Sequence, residues 1–535
     1  MRLVGVTAVY VALTAVATYP QVRQLAGGIR DDIDVYFSVW RLAWIAHQLP
    51  RHPLQLFEAN IFYPERHTLA YSDALVGPGV VAAPLSWLGA NPILIYNLVF
   101  FGVIILSGLA MFVLVEAVTM SAAAALISGA LFVLSPYRFA HYTQLDLQTT
   151  ALMPVALWAL HRALATRRRL YALLLGLSLA LQTYCGIYYG IYFATYLCVV
   201  APLLVLAEPW SVQRRLAAML FVSALVAGLL VIPYMLPYLA ARATVGVRDI
   251  SETLYFSASP RDYLMAAPGS ALYDGLLPVS WRGNFLGIVV MLFAAVGLWP
   301  PTWTATTYLF GAAFAFEASL GLNGYTFPWL RAWVLPYRGL RVPSRFAMLV
   351  VVSLVILAGL GVARIAARLG SRGRLLLVAL VLIAAVVEAR TIPVLASPRT
   401  SAAVVDTWLR HQPRSAIVEL PLPAADRPFD IVEGRHMYDS IFHWQRLANG
   451  YSGFWPRSYL ELLQQMRTFP DPSSVGYLQR LGIRFVVARS ALAASSTDFA
   501  RLSDALGKCP ELIFVGRIPE KDSESLVYEV SMAAR

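Results

Sequence analysis

The sequence predicts an α-helical multi-pass membrane domain of about eleven transmembrane helices, followed by a smaller α/β domain outside the membrane. Composition is the first indication, because 59% of the residues are hydrophobic and only 13% are charged, whereas soluble domains carry about a quarter charged residues. A chain this apolar would expose large hydrophobic patches in water. The apolar residues also form a series of segments of about 20 residues, the length that crosses a bilayer.

The membrane domain is predicted over residues 1–391. Its spans are predicted near residues 3–19, 92–116, 119–135, 147–164, 170–185, 187–207, 213–233, 284–300, 303–320, 345–366 and 374–391. The segment 74–89 is also apolar, but it is short and contains Gly77-Pro78-Gly79. We predict that this segment is a re-entrant or interfacial piece.

The orientation of the spans is predicted from arginines in three short loops, at residues 161–169, 208–216 and 364–374. With eleven spans, all three loops fall on the same side of the membrane. Loops rich in Lys and Arg face the cytoplasm, so we expect the N-terminus inside and the C-terminal domain outside. The segments that then face outside are residues 20–91, 234–283, 321–344 and 392–535.

The C-terminal segment, residues 392–535, has the pattern of a small α/β domain. Strand-like runs at 416–420, 484–488, 512–515 and 526–530 alternate with helical stretches such as 459–467. The net charge is +12, but the arginines are spread among loops and do not form one basic soluble face, so nucleic acid is not an expected partner.

The first outer loop carries three carboxylates just before a helical stretch over residues 35–49: Asp31, Asp32 and Asp34. A narrow polar stripe runs along this stretch: Asp34, Ser38, Arg41 and Gln48. The remaining face is apolar, which predicts a helix lying in the membrane interface. A carboxylate here could act as a general base toward a hydroxyl acceptor, or help to hold a divalent cation such as Mg²⁺ or Mn²⁺. The structural alternative is a helix cap, because Asp is a favoured N-cap residue.

Arginines near the outer membrane surface are candidates for binding the phosphate of a lipid-linked substrate: Arg138, Arg338, Arg341 and Arg345. Arg suits this role because the guanidinium makes forked contacts with phosphate, although such arginines also snorkel to lipid headgroups. Further candidates for substrate contacts are His141, Asp146, Tyr188, Tyr189, His443 and Trp444. The first two match no standard metal motif and also suit a helix start, and the tyrosines also suit an interfacial aromatic belt.

Several short motifs resemble those of one enzyme group. They are Asp31-Asp32-Ile33-Asp34 with Trp40 and Trp44, and residues 60–64, 69–72, 135–141, 338–346, 442–444 and 449–454. In these motifs the chain resembles bacterial membrane glycosyltransferases of the GT-C superfamily, in a largely uncharacterised branch. The better-studied members are protein mannosyltransferases, aminoarabinose transferases and oligosaccharyltransferases.

The resemblance implies a sugar donor carried on a polyprenyl phosphate or diphosphate. It also implies an acidic residue in the first outer loop as catalytic base or metal holder. By position, Asp34 and Asp31 match the acidic pair of this branch, and Asp32 is an extra acid between them. The Asp-Glu pair that is common in the better-studied members is absent here. The expected protein is a glycosyltransferase of a bacterial cytoplasmic membrane that uses a glycan, lipid or protein acceptor on the outer face.

Two other functions stay open at this point. A lipid-linked glycan transporter would carry charged residues deep in several spans and show repeated halves, but the sequence has few of the former and none of the latter. A non-catalytic membrane protein that binds a glycan or a partner through its C-terminal segment would tolerate the loss of all three loop carboxylates.

Overall fold

The computed structural model describes residues 2–391 and 393–531. Within these residues the chain forms two compact units, which we call the helical unit and the sheet unit. The helical unit comprises Met1–Leu25, Asn97–Met235 and Val247–Val394, and the sheet unit comprises Ala26–Tyr96, Leu236–Gly246 and Leu395–Arg535. Compactness thus groups the first outer loop with the C-terminal segment. The predicted boundary between a membrane domain and a C-terminal domain at residue 391 is a statement about domains that fold separately. The grouping into compact units does not test it, so it stays a prediction.

The described residues contain α-helices in both units. In chain order they are α1 (Arg2–Ala17), α2 (Ile33–Gln48), α3 (Val76–Trp87), α4 (Pro92–Thr119), α5 (Ala122–Val133), α6 (Pro136–Ala140), α7 (Leu145–Gln148), α8 (Leu152–Thr166), α9 (Arg169–Cys185), α10 (Ile187–Leu206), α11 (Trp210–Val245), α12 (Ile250–Tyr255), α13 (Ile288–Leu298), α14 (Trp303–Ser319), α15 (Thr326–Trp333), α16 (Ala347–Ala367), α17 (Ser371–Ala389), α18 (Val404–His411), α19 (Ile431–Ser440), α20 (Arg457–Gln465), α21 (Pro472–Leu481) and α22 (Ser496–Gly507).

The predicted spans coincide with helices. Each of the eleven predicted segments overlaps at least one of the helices above. Among the described residues, five helices are long and apolar enough to cross a membrane, by length and composition: Pro92–Thr119, Ala122–Ala140, Ile187–Leu206, Trp210–Val245 and Pro343–Ala367. Leu3–Ala17 and Ile288–Leu298 are apolar but shorter. The chain is therefore mostly helical with apolar spans, while the count of eleven stays a prediction.

Helix α16 is the most enclosed long helix of the helical unit. It packs against α5, α13 and α14, and most of its side chains are buried. At the crossing with α13 the two main chains touch, because a Cβ on Gly361 would lie 2.1 Å from the carbonyl oxygen of Phe293 and one on Gly297 would lie 1.9 Å from that of Leu357. Small residues permit this approach between apolar helices.

The sheet unit is built around a five-stranded sheet with the order β4-β3-β5-β7-β6. Its strands, and a separate antiparallel pair β1–β2, are β1 (Ile29–Arg30), β2 (Leu395–Ala396), β3 (Ala416–Leu420), β4 (Arg446–Leu447), β5 (Ile483–Arg489), β6 (Leu512–Pro519) and β7 (Glu524–Val530). Strand β3 runs parallel to β4 and β5, whereas β7 is antiparallel to β5 and β6. All four predicted strands of the C-terminal segment are confirmed.

Helix α2 is buried within the sheet unit. Twelve of its sixteen residues are buried, and it packs against α3 and α19. Trp40 Nε1 donates to Asn60 Oδ1 at 3.2 Å, and Trp44 Nε1 donates to the carbonyl oxygen of Leu56 at 2.9 Å. The prediction that this helix lies in the membrane interface is wrong for its apolar face, since protein covers that face. That α3 and its flanks, residues 74–89, are re-entrant or interfacial stays a prediction.

Candidate active site

The three carboxylates of the first outer loop lie between β1 and the first turn of α2. β1 pairs with β2, with Ile29 opposite Ala396. Asp32 is the N-cap of α2, and its Oδ1 accepts a hydrogen bond from the main-chain N–H of Asp34 at 2.8 Å. Such a cap satisfies one of the amides that a helix start leaves unpaired. The capping alternative is therefore confirmed for Asp32, a different role from the catalytic one predicted for it.

Asp34 is half-buried and is contacted by a tyrosine from the C-terminal segment. The Oη of Tyr451 donates a hydrogen bond to Asp34 Oδ1 at 2.8 Å. The Tyr451 ring packs edge-on against Phe37 with 5.4 Å between ring centres. The carboxylate also lies in the first turn of α2, where the helix dipole favours negative charge. Two independent elements thus fix the orientation and the charge environment of Asp34.

Asp31 is exposed and forms an ion pair. The Nη2 of Arg435 lies 3.3 Å from each carboxylate oxygen of Asp31, and Tyr36 Oη donates to Oδ1 at 3.3 Å. Burial of Tyr36, and next the charge of Asp31, raise the pKa of the phenol to about 12, so it stays protonated as a donor. Asp31 therefore ties the loop to α19, which carries Arg435.

The predicted polar stripe of α2 forms a chain of internal hydrogen bonds. Ser38 Oγ donates to the carbonyl oxygen of Asp34 at 2.7 Å, and Arg41 Nη2 donates to Ser38 Oγ at 2.8 Å. Arg41 Nη1 donates to the carbonyl oxygen of Asp73 at 2.5 Å, and its guanidinium lies 4.2 Å from the ring centre of Phe37. The stripe therefore stabilises the helix start from inside the protein.

A buried glutamate anchors the segment that carries Tyr451. Glu433 Oε2 accepts from the main-chain N–H of Gly450 at 2.8 Å, and Oε1 accepts from Asn449 Nδ2 at 3.2 Å. Asn449 Oδ1 in turn accepts from the main-chain N–H of Glu419 on β3 at 2.7 Å. Burial raises the pKa of Glu433 to about 7. The position of Tyr451 is therefore linked to a group that titrates near neutral pH.

A second buried glutamate, Glu419, is paired with cations. Arg489 donates to both of its carboxylate oxygens, at 2.9 and 2.7 Å, and His436 Nδ1 lies 2.9 Å from Oε2. Burial alone would raise the pKa of Glu419, but Arg489 and His436 hold it well below its usual range. Arg489 also donates to Asp406 at 2.8 Å. This network joins α18, α19, β3 and β5 in the centre of the sheet unit.

The two predicted acceptor contacts of the C-terminal segment have different surroundings. The His443 side chain is fully buried, with Nε2 3.5 Å from Glu419 Oε1, which gives it a partner inside the protein and no surface from which to reach an acceptor. Trp444 is half-buried and has a left-handed backbone, with φ 56°. Its ring stacks on His47 with 4.2 Å between ring centres and packs edge-on against Trp44 at 5.7 Å.

In the helical unit, four of the predicted residues come together. Arg345 Nη1 lies 3.6 Å from Asp146 Oδ2, and both side chains are mostly buried. The Arg345 guanidinium lies 4.5 Å from the ring centre of Tyr188, whose Oη accepts from the main-chain N–H of Arg341 at 3.0 Å. Arg341, Arg345, Asp146 and Tyr188 thus form one cluster, which we call the arginine cluster.

Two residues that the sequence analysis did not single out complete the arginine cluster. Arg341 Nη1 contacts Glu252 Oε1, and the same carboxylate accepts from Arg248 Nη1 at 3.2 and 3.4 Å. The cluster therefore holds three guanidinium groups and two carboxylates, a net positive charge. A positive, mostly buried group of this kind attracts anions more strongly than a solvated one.

The remaining predicted residues of the helical unit have other contacts. Arg138 is almost fully buried and donates to the carbonyl and side-chain oxygens of Gln148 and to Thr150 Oγ1, at 2.9 to 3.2 Å. It therefore orders the segment next to Asp146 and does not face solvent, unlike the phosphate contact predicted for it. Arg338 is exposed and donates to the carbonyl oxygens of Arg331 and Ala332.

Two further predicted contacts, His141 and Tyr189, lie beside Tyr137. The Nδ1 of His141 is 3.0 Å from the carbonyl oxygen of Tyr137, and the two rings are 4.4 Å apart between centres. Tyr189 is 1% exposed on α10. These side chains fill the interior of the helical unit near Asp146, and their substrate contacts stay predictions.

The residues that the sequence analysis missed as contacts left only weak signals. Tyr451 falls within the 449–454 motif, and Arg248 and Glu252 have the i, i+4 spacing of a helical ion pair. Arg435 had no such signal, because its partner Asp31 lies 404 positions away in the chain. Long-range pairs of this kind have no pattern in a single sequence.

The loop carboxylates do not form a ready metal site. Asp31 is paired with a guanidinium, Asp32 with a main-chain amide and Asp34 with a phenol, and all three partners are donors that a bound cation would have to displace. In the described part of the chain, no group of three or more His, Cys, Asp or Glu side chains is arranged as metal ligands. No step proposed below uses a metal.

Comparison with known proteins gives matches among solved structures. No protein-family model and no curated protein matches the chain. The crystal structure of ArnT from Cupriavidus metallidurans in the apo state aligns over 99% of this chain and 98% of its own, with 14% identity and a TM-score of 0.49. The oligosaccharyltransferase of Archaeoglobus fulgidus in the apo form aligns over 91% of this chain and 69% of its own, with 12% identity and a TM-score of 0.46.

The same oligosaccharyltransferase in complex with Zn and sulfate aligns over 98% of this chain and 72% of its own, with 12% identity and a TM-score of 0.45. At identities of 12–14% and TM-scores of 0.45–0.49, these alignments show neither a family nor a reaction, and the proposed function rests on the residues of the chain itself.

Proposed function

We propose that the chain is a membrane glycosyltransferase, which moves a sugar from a polyprenyl-phosphate-linked donor to an acceptor hydroxyl on the outer face of a bacterial cytoplasmic membrane. The observation that carries the proposal is Asp34, a half-buried carboxylate in the first turn of α2 whose Oδ1 is held by the phenol of Tyr451 at 2.8 Å. An oriented carboxylate in a partly enclosed loop is suited to take a proton from a hydroxyl group.

In the proposed reaction, Asp34 accepts the proton of the acceptor hydroxyl as that oxygen attacks the anomeric carbon of the donor sugar. A new bond forms between the acceptor oxygen and the anomeric carbon, and the bond from that carbon to the phosphate oxygen breaks. The lipid phosphate leaves with the electron pair. Because phosphate is already a competent leaving group, the reaction needs no acid partner.

The arginine cluster is proposed to bind the phosphate of the donor. Its support is the excess of guanidinium groups over carboxylates around Arg345 and Arg341. The leaving phosphate gains negative charge, and fixed cations in a partly dry site stabilise such charge better than water does. Arg345 is the first candidate for direct contact, since its mostly buried guanidinium lies beside Asp146 and 4.5 Å from the ring centre of Tyr188, within the cluster.

The placement on the outer face is also a proposal. It rests on the arginine-rich loops 161–169, 208–216 and 364–374, which the positive-inside rule assigns to the cytoplasmic side, and on the long segments that are then expected outside. Polyprenyl-linked donors are membrane lipids, so an enzyme with apolar spans meets them in the bilayer. The acceptor is a glycan, lipid or protein that carries a free hydroxyl group.

The proposal is tested by transfer of labelled sugar from membrane extracts that contain polyprenyl-linked donors. Asp34→Asn is expected to lower the rate at least about a hundredfold, the scale of a lost general base. Asp32→Asn is the matched control, because Asn caps a helix as well as Asp does, and it is expected to keep the wild-type rate. Equal rates for Asp34→Asn and the wild type would refute the assignment of the base.

The phosphate-binding role is tested separately with Arg345→Lys. Lysine keeps the charge but loses the forked contact, so KM for the lipid-linked donor is expected to rise about tenfold with a smaller change in kcat. Arg338→Lys is the control, because Arg338 is exposed and donates to main-chain carbonyls outside the cluster. If no donor supports transfer by the wild type, the glycan-binding or transport function replaces this proposal.

A further inference from the structure

A cavity opens in the sheet unit at the carboxyl end of β3. Its volume is about 770 Å³, within the range of about 300–1,000 Å³ that small-molecule sites occupy. One part of its lining is the segment that follows β3, residues 420–426. The rest comes from the end of α20 and the turn after it, between Leu463 and Phe469, and from Leu502 of α22.

The topology of the sheet favours a ligand at this place. β3 pairs in parallel with β4 on one side and with β5 on the other. The chain passes from β3 through α19 to β4, and then through α20 and α21 to β5, so successive connections run in opposite directions across the sheet. Because parallel crossovers are right-handed, such a reversal leaves a crevice at the carboxyl end of β3. Ligands of open α/β sheets bind in crevices of this type.

The polar lining of the cavity can both donate and accept hydrogen bonds. Asp426 only accepts, Arg467 only donates, and the Gln464 amide does both. Within the described residues, none of these three side chains has a hydrogen bond or an ion pair to the protein. One positive and one negative charge cancel, so the lining has no preference for a charged ligand. All three residues are exposed, and a ligand that carries many hydroxyl groups, each a donor and an acceptor, replaces the water on all three side chains.

The apolar part of the lining suits the carbon face of a sugar ring. Pro421, Pro423, Met466 and Phe469 contribute it. An extended peptide is recognised differently, since it adds a strand to a free sheet edge through main-chain hydrogen bonds. Both edges of β3 are already paired, with β4 and with β5, so the strand at the cavity offers no such edge. Addition of a peptide strand to β3 is therefore excluded, and we assign recognition to the side chains of the lining.

We propose that this cavity binds a neutral oligosaccharide through Asp426, Gln464 and Arg467. The lining includes neither Asp34 nor any residue of the arginine cluster. Binding of a neutral oligosaccharide at this place also identifies the acceptor of the transfer reaction as a neutral glycan. This identification of the acceptor rests on the proposed function.

Binding is measured without a sugar donor, by saturation-transfer NMR on the full chain in lipid nanodiscs. The probes are maltohexaose and an α-1,6-linked mannohexaose, at millimolar concentrations. The double variant Gln464→Ala/Arg467→Ala is expected to weaken binding at least about tenfold. Ala425→Trp, which fills the cavity from its own lining, is expected to do the same. Arg501→Ala is the matched control, since Arg501 lies on α22 outside the lining with a side chain 76% exposed, and it is expected to bind as the wild type does.

Binding that is lost in both cavity variants and kept in the control supports the site. Absence of binding of either hexaose to the wild type, or equal binding by the wild type and the cavity variants, overturns it. Binding of an unstructured peptide of six residues in the cavity in place of the hexaoses overturns the glycan assignment. Because no donor is present, hexaose binding with no measurable transfer leaves the cavity established and refutes only the proposed function.

Discussion

Glu433→Gln removes a buried carboxyl group that supports the Tyr451 segment and whose pKa is near neutrality. Glu433 is fully enclosed on α19, where its oxygens accept hydrogen bonds from Gly450 and Asn449. Burial raises its pKa from 4.5 to about 7. Glutamine has the same shape and keeps an oxygen that accepts from Gly450, but its amide nitrogen cannot accept from Asn449 Nδ2, and it does not titrate. The lost hydrogen bond contributes equally at every pH, so the pH dependence of the difference between variant and wild type isolates the ionisation of this group.

The size and sign of the effect follow from the shift in pKa. A rise from 4.5 to about 7 corresponds to about 3 kcal/mol at 1.36 kcal/mol per pH unit. The folded pKa lies above the unfolded one because burial disfavours the charged form. The folded protein therefore binds the proton more tightly, and its free energy of unfolding falls as the pH rises from 4.5 to 7. Above pH 7 the wild type has lost the full amount, whereas the glutamine variant has lost nothing.

The assay is thermal unfolding of the full chain in nanodiscs between pH 4.5 and 8, followed by tryptophan fluorescence. Between pH 4.5 and pH 8 the midpoint of the sheet unit in Glu433→Gln is expected to rise relative to that of the wild type by about 6–12 °C, at about 2–4 °C per kcal/mol for a unit of this size. Glu461→Gln, an exposed position on α20, is the control. Parallel pH profiles for the wild type and Glu433→Gln would refute the reasoning.

Three further substitutions test the sheet unit, each through its thermal midpoint. Asp32→Ala removes the cap of α2 and is expected to cost about 1 kcal/mol; an unchanged midpoint would contradict the capping role. Gly79→Ala places a Cβ 2.4 Å from Ile45 Cδ1 and is expected to cost about 1–3 kcal/mol by overpacking α2 against α3, whereas Gly27→Ala has open space and is expected to be neutral. Arg489→Met leaves buried carboxylates without their cation and is expected to cost about 3–5 kcal/mol, with loss of the folded sheet unit as the measured result.

The helices and strands could be predicted from the sequence where one periodicity dominates. β3 is found over Ala416–Leu420, the predicted limits, because its apolar run is short and bounded by Ser415 and Pro421. The surroundings of α2 could not be predicted in the same way. Its apolar face has the same pattern whether lipid or protein covers it, and the partners that cover it, α3 and α19, come from distant parts of the chain.

In the candidate site, too, the residue types could be predicted from the sequence, whereas their partners could not. The sequence indicates which residue types are present, and three aspartates in four positions point to acid–base chemistry, to a cap or to a metal with equal force. The roles of the three aspartates are distinguished only by the groups that each carboxylate contacts in the structure. A main-chain amide two residues away makes Asp32 a cap, and Arg435 makes Asp31 half of an ion pair.

Asp34 receives its phenol from a residue 417 positions later in the chain. The surroundings of the proposed general base are therefore set by the C-terminal segment as much as by the acidic loop. For this reason a variant of Tyr451, or of Glu433 that supports its segment, is expected to affect the proposed transfer as a variant of Asp34 does, although no local motif connects them.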